Sequence, residues 1–174
     1  LAQVRSLASA RAAGIMLVPS AVPRRDTIAL LSHMPHVQLI RGCEALSAPW
    51  FGIDDRAAIR VAVERLLASG HRRIGYIGGL DITTVGADRT RGYREGLVAA
   101  GLPGDDRLVA WGNFSEESGL AAGRQLIAQE PRPTAIVAAN DMMAIGVLRA
   151  AEEAGAMVTL VDLAQHGRGA RHIA

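Results

Sequence analysis

Pro133-Thr-Ala-Ile-Val-Ala-Ala-Asn-Asp-Met-Met-Ala-Ile-Gly-Val-Leu-Arg-Ala-Ala-Glu-Glu-Ala-Gly155 decides how the rest of the chain is read. Its apolar run from Ala135 to Ala139 has the length and composition of a buried strand. The run ends on two short polar side chains, Asn140 and Asp141, and a helical pattern follows at once, stopping at Gly155. A strand that feeds a helix through two polar residues places them at the carboxyl edge of a sheet, where open α/β sheets bind ligands. Asn and Asp are also the side chains that cap the free N–H groups of a first helical turn. Capping alone therefore accounts for the pair as well as ligand binding does.

Outward from this stretch the same unit repeats. Asp54 and Asp55 open a helix with Ile59, Val63, Leu66 and Leu67 on one face, closed by Gly70, and strand Ile74 to Ile77 follows up to Gly78-Gly79. Asp81 to Ala87 reads as a polar loop. A helix is expected from about Asp88 to Ala100, with Tyr93 and Leu97 inward and Gly101 as its stop. Leu108 to Trp111 reads as a strand, and Ser115-Glu-Glu-Ser118 starts a helix with acids at its positive end. Toward the N-terminus, Leu1 to Ala13 is a helical pattern stopped by Gly14. Ile15 to Val18, Val37 to Ile40 and Trp50 to Ile53 are extended, and Asp26 to His33 is helical. Strand-then-helix units with short connections mean a parallel sheet with helices on both faces.

Composition narrows the function classes. The chain has 174 residues, 49% of them hydrophobic, so it is globular, and its 3% aromatic content leaves Ala, Val, Leu and Ile to build the core. A net charge of +2, carried by arginine, is too slight to argue for nucleic-acid binding by this segment. Cys43 is the one cysteine, which fits a reducing compartment. No run approaches the ~20 apolar residues of a membrane span. There is no GxxxxGK[ST] or GxGxxG, and Gly75 to Gly79 has the wrong spacing for a dinucleotide loop. His33 and His36 flank Met34-Pro35, but the proline breaks any helix that would align them, and no Cys or acidic cluster joins them, so no metal is expected. Ser6, Ser20 and Ser115 have no GxSxG elbow, so no nucleophile with its base is expected; no cofactor is expected either.

Four segments occur in order: Ile53-Asp-Asp-Arg-Ala-Ala with Leu66-Leu-Ala-Ser-Gly-His-Arg-Arg-Ile-Gly-Tyr-Ile-Gly-Gly79; Asp88-Arg-Thr-Arg-Gly-Tyr93 with Ala99-Ala-Gly-Leu-Pro103; Gly112-Asn-Phe-Ser-Glu-Glu-Ser-Gly119; and Ala138-Ala-Asn-Asp-Met-Met-Ala-Ile-Gly146. Together they resemble the effector-binding, sugar-sensing domain of the lactose/galactose repressor family of bacterial transcription regulators. The resemblance covers about residues 53 to 155, and residues 1 to 52 fit it more loosely.

The resemblance implies an α/β, periplasmic-binding-protein-like fold of two doubly wound parallel-sheet lobes, the first incomplete. A partial N-terminal lobe is expected over residues 1–52, the C-terminal lobe over 53–163, and an atypical tail over 164–174. It further implies a small polar effector, sugar-like, in a cleft between lobes, whose closure couples to DNA binding through two global states. It assigns ligand contacts to Arg89, Phe114, Asn140 and Asp141, with Asn140 as the direct contact and Asp141 as the helix cap. A guanidinium forks two hydrogen bonds to hydroxyls or a carboxylate, an aromatic ring packs on a ligand ring, and an amide both donates and accepts.

Implied, too, are a homodimer, a cytoplasmic location, no enzymatic activity, no membrane, and DNA contact only through an N-terminal helix-turn-helix that this chain lacks. A periplasmic sugar-binding protein for transport shares the fold and stands as the alternative, distinguished by a signal peptide in place of the helix-turn-helix. After Gly155 the chain departs from the family pattern. Val158 to Leu163 reads as a strand, with Asp162 as a stand-in for the family's acidic contact. Gln165 to Ala174 has no core pattern, whether as an altered reading frame, a disordered segment or the end of a shortened chain. An incomplete sheet leaves exposed edges, so self-association is expected.

Overall fold

The computed structural model describes residues 2–79, 84–160 and 171–173. The chain divides into two compact units between Ile53 and Asp54, with Thr84 and Val85 grouping with the first.

The first unit contains α1 (Ala2–Ser9), β1 (Ile15–Leu17), α2 (Arg25–Leu31), β2 (His36–Leu39) and β3 (Trp50–Phe51). The strands pair in parallel in sequence order, with Ile15 opposite His36 and Gln38 opposite Trp50. Ile15, Leu31 and Leu46 form its core, and Val4, Leu17, Ile28 and Met34 pack against them. Gln38 is buried, and its amide is fully engaged by the loop that follows. Nε2 donates to Leu46 O (3.2 Å) and Ala48 O (2.9 Å), and Oε1 accepts from Cys43 N (2.7 Å). One polar side chain thus satisfies three backbone groups. Gly14 does not stop α1 as expected. The helix ends at Ser9, and Arg11 takes the left-handed conformation (φ 55°), so the chain turns before Gly14 is reached.

The second unit carries α3 (Asp55–Ala68), β4 (Ile74–Gly78), α4 (Thr84–Ala99), a 3-10 turn (Asp106–Leu108), β5 (Val109–Trp111), α5 (Glu116–Ile127), β6 (Ala135–Ala138), α6 (Asp141–Glu153), β7 (Val158–Leu160) and β8 (Arg171–Ile173). β4 is the middle strand of the parallel order β5-β4-β6 and is buried along its whole length, as its uninterrupted apolar sequence requires. Side chains alternate between the faces of a strand. Tyr76 stacks on Tyr93 of α4, ring centroids 4.7 Å apart, while the neighbouring Gly75 faces Leu126 of α5. Val63 of α3 abuts Gly96 of α4, and α5 meets α6 through Gly119 and Gly146. Hence α3 and α4 cover one face of the sheet, and α5 and α6 the other. Burial pushes the Tyr93 hydroxyl up to about 12, so it stays protonated and donates to Ile74 O (2.9 Å).

Three expectations are corrected here. α4 begins at Thr84 and not at Asp88, so residues 84–87 are helix and not loop, and Arg89 lies in the second turn. Leu108 belongs to the 3-10 turn, capped by Asp105, and the strand starts at Val109. Within the stretch read as a patternless tail, Arg171–Ile173 is a strand that pairs antiparallel with β7. Asp162 lies outside the described residues.

Asp105 ties the amino end of β4 to the 3-10 turn. Its carboxylate accepts from Arg107 Nε (3.0 Å) and Nη2 (2.9 Å), from Arg107 N (3.1 Å), and from Arg73 Nη1 (3.2 Å). The Arg107 side chain, then its backbone N–H and Arg73, hold this carboxyl down at about 2, against 3.8 for the free group. A depressed carboxylate contributes stability that is complete above its unfolded pKa and is lost as pH falls through the folded one. Melting temperature is therefore expected to drop between pH 4 and pH 2, and Asp105→Asn to remove part of that drop. Thermal melts from pH 2 to pH 6 check this. An unchanged slope in Asp105→Asn would assign the acid sensitivity elsewhere.

Candidate ligand-binding site

The carboxyl ends of β4, β5 and β6 form one edge. Gly112 N donates to Gly78 O (2.8 Å) and Ala139 N to Ile77 O (2.9 Å), so the segments leaving the three strands start side by side. Two of them carry residues assigned from sequence. Phe114 follows β5, and Asn140 follows β6.

Asn140 is the N-cap of α6. Its Oδ1 accepts from Met143 N (3.2 Å), while its Nδ2 donates across to Phe114 O (3.0 Å). Phe114 sits in the left-handed region (φ 69°), which costs a non-glycine residue about 1 kcal/mol or more. The bond from Asn140 holds it there. On its other side, Asn113 Oδ1 accepts from Ser115 N (3.1 Å) and Ser115 Oγ (2.6 Å), and Ser115 in turn caps α5 by accepting from Ser118 N. Strained backbone fixed by surrounding bonds is a common mark of a binding site. The half-buried Phe114 ring lies directly on Gly79, where an added Cβ would fall 2.0 Å from Cζ. Only glycine leaves room for the ring in this position.

Arg89 approaches the same edge from α4. Its Nε donates to Asp55 Oδ1 (2.6 Å), and its Nη1 donates to Ala139 O, the residue before Asn140. The Asp55 side chain is 7% exposed and that of Arg89 20%, so this pair is largely desolvated, unlike the half-exposed pairs Arg60–Glu64 and Arg124–Glu153. Asp55, Arg89, Ala139-Asn140, Phe114 and Gly79 thus form one continuous chain of contacts.

The structure brings together Arg89, Phe114 and Asn140 of the assigned residues. Arg89 is not an exposed arginine at a helix start. Asp141 is exposed in the first turn of α6, next to Asn140, and it is not the cap. The expected division of roles is therefore corrected, because the capping geometry needs an oxygen from the residue preceding the helix, and that residue is Asn140. Asp55 was missed by sequence reasoning. The signal was present, since two consecutive acids open α3, Asp54 caps it by accepting from Ala57 N (2.9 Å), and the second acid is left over. His36 turns Nδ1 to Met34 O (2.9 Å), and among the described residues no group of three or more His, Cys, Asp or Glu is placed to hold a metal ion. Nor is any helix among them long and apolar enough to cross a membrane.

An amide with both functions oriented, a guanidinium fixed in a plane and an aromatic face suit a ligand with several hydroxyls and an apolar ring face. Comparison with known proteins identifies the family. Residues 63–158, more than half of the chain, match the periplasmic binding protein-like domain family. The HTH-type transcriptional regulator CelR of Thermobifida fusca is 34% identical over 157 residues, which is 87% of this chain and 46% of that protein. The regulator GalR of Salmonella typhimurium is 32% identical over 146 residues, 83% of this chain and 43% of its own length. A solved structure of a CelR–cellobiose complex superposes with a TM-score of 0.75 at 33% identity, covering 89% of this chain and 48% of that one. A LacI-family regulatory protein from Chloroflexus aggregans gives 0.76 at 34% identity, over 89% and 57% of the two chains. The chain spans about half the length of the curated relatives it matches. It belongs to the periplasmic binding protein-like domain family, in the branch of the lactose/galactose repressor regulators.

Proposed function

We propose that this chain is the ligand-sensing part of a transcription regulator and that it binds a sugar or similar small polar metabolite at the sheet edge built by Arg89, Phe114 and Asn140, with Asp141 beside them. The observation that carries this is the contact chain from Asp55 to Gly79, which converges the cation, the amide and the aromatic ring on one edge in a chain similar to a regulator solved with cellobiose. DNA binding belongs, in this reading, to an N-terminal helix-turn-helix of the whole protein, which acts in the cytoplasm as a homodimer. Light scattering tests the dimer, and a monomer at high concentration counts against it. The transport reading is not favoured, because the curated relatives compared above are regulators.

Differential scanning fluorimetry with cellobiose, galactose, ribose and nucleobases tests the sensing role. A ligand at about 100 times its Kd stabilises the protein by about 2.7 kcal/mol. One member of the sugar set is expected to raise the melting temperature by several degrees. Stabilisation by nucleobases alone would overturn the sugar assignment.

A further inference from the structure

The arginine at this sheet edge and two of the helix starts there are opposed by acids, while α4 has none in its first turn. The N-terminus of α5 carries Glu116 and Glu117 in its first turn, and that of α6 carries Asp141. Helix N-termini otherwise attract anions, and acids in the first turn offset that field. Arg89 is opposed by Asp55, 2.6 Å from Nε and nearly buried. A lone arginine beside a capped helix start would make an anion site. An arginine already paired with a carboxylate keeps its planar donors but offers no net charge to a ligand.

Resting on the reading that this edge is the ligand site, we propose that Asp55 sets its charge preference. It positions Arg89 and cancels its charge, so the site takes uncharged polyhydroxylated ligands and rejects phosphorylated or carboxylated ones. Asp55 does not touch the ligand. It acts through Arg89, which it aims toward the edge while Ala139 O fixes the other arm of the fork.

Inorganic phosphate tests the charge rule whatever the effector. By calorimetry on the intact protein, the wild type is expected to show no phosphate binding at this edge up to about 10 mM. Asp55→Asn keeps an acceptor oxygen for Arg89 Nε and removes only the charge, so its phosphate affinity is expected to rise by about tenfold or more. The double variant Asp55→Asn with Arg89→Met should lose that gain. Phosphate binding by the wild type that Arg89→Met abolishes would overturn the proposal, and so would an Asp55→Asn variant that folds but gains nothing. Should Asp55→Asn fail to fold, the wild-type arm still decides, joined by a comparison of glucose with glucose 6-phosphate. A preference for the phosphorylated sugar contradicts the rule. Failure of every neutral sugar to bind, with the phosphate series as expected, would sink the sugar reading and leave the charge rule standing.

Discussion

Gly146→Ala is expected to lower the melting temperature by about 10 °C, through a loss of about 3 kcal/mol or more. At an exposed helical site the same change would stabilise by up to about 1 kcal/mol, because alanine is the better helix former. The contact across to α5 reverses the sign. A Cβ at Gly146 would lie 2.2 Å from Glu116 O, 2.4 Å from Leu120 N and 2.7 Å from Gly119 C, all backbone atoms. No side chain can rotate away, so the two helices must separate. A Cβ at Gly119 would likewise fall 2.3 Å from Met143 O on the other side. Separation also loosens Met143 and Val147, both buried in the main core. Circular dichroism melts check the sign, and an unchanged or raised melting temperature would mean that α5 and α6 do not cross this closely.

The second large effect is expected from Asp55→Ala, a loss of about 3–5 kcal/mol, since removing one partner of a buried ion pair strands the other. Arg89 would lose its Nε acceptor while Nη1 stays bound to Ala139 O. Asp55→Asn is expected to cost less than half as much, because the amide oxygen still accepts from Nε. Surface pairs provide the contrast. Arg60 and Glu64 are about half exposed and 3.7 Å apart, and breaking them should cost no more than a few tenths of a kcal/mol. Urea titration of the three variants orders the effects. Equal losses at Asp55 and Glu64 would show that burial does not govern the Asp55 pair.

Much of this architecture is legible in the chain because it is written in local signals. The unbroken apolar run of β4, the caps Asp54 and Ser115, and the left-handed glycines Gly70 and Gly155 after α3 and α6 all act within a few residues. The features that escape sequence reading depend on partners far along the chain. Gly146 looks like a weak helix residue until Glu116 O is placed above it. Asp55 looks like a redundant helix opener until Arg89, 34 residues on, reaches it. The early start of α4 is hidden because Gly86 and Thr84 have poor helix propensity and no acidic residue marks the first turn. At the site, the residue types were readable but the division of roles was not. Asn and Asp are both good caps, and only the backbone conformation of residue 140 (φ −154°, ψ 169°) places it, and not Asp141, outside the helix as the cap.

The central claim is that Arg89 and Asn140 at this sheet edge hold the effector. Isothermal titration of the stabilising ligand into the intact protein and its Arg89→Ala and Asn140→Ala variants tests it most directly. Each lost hydrogen bond to an oriented donor removes about 1–3 kcal/mol, so each variant should bind about tenfold to a hundredfold more weakly. Asn140→Ala should also lose about 1 kcal/mol of stability with its cap. Wild-type affinity in both variants, with both still folded, would contradict the account.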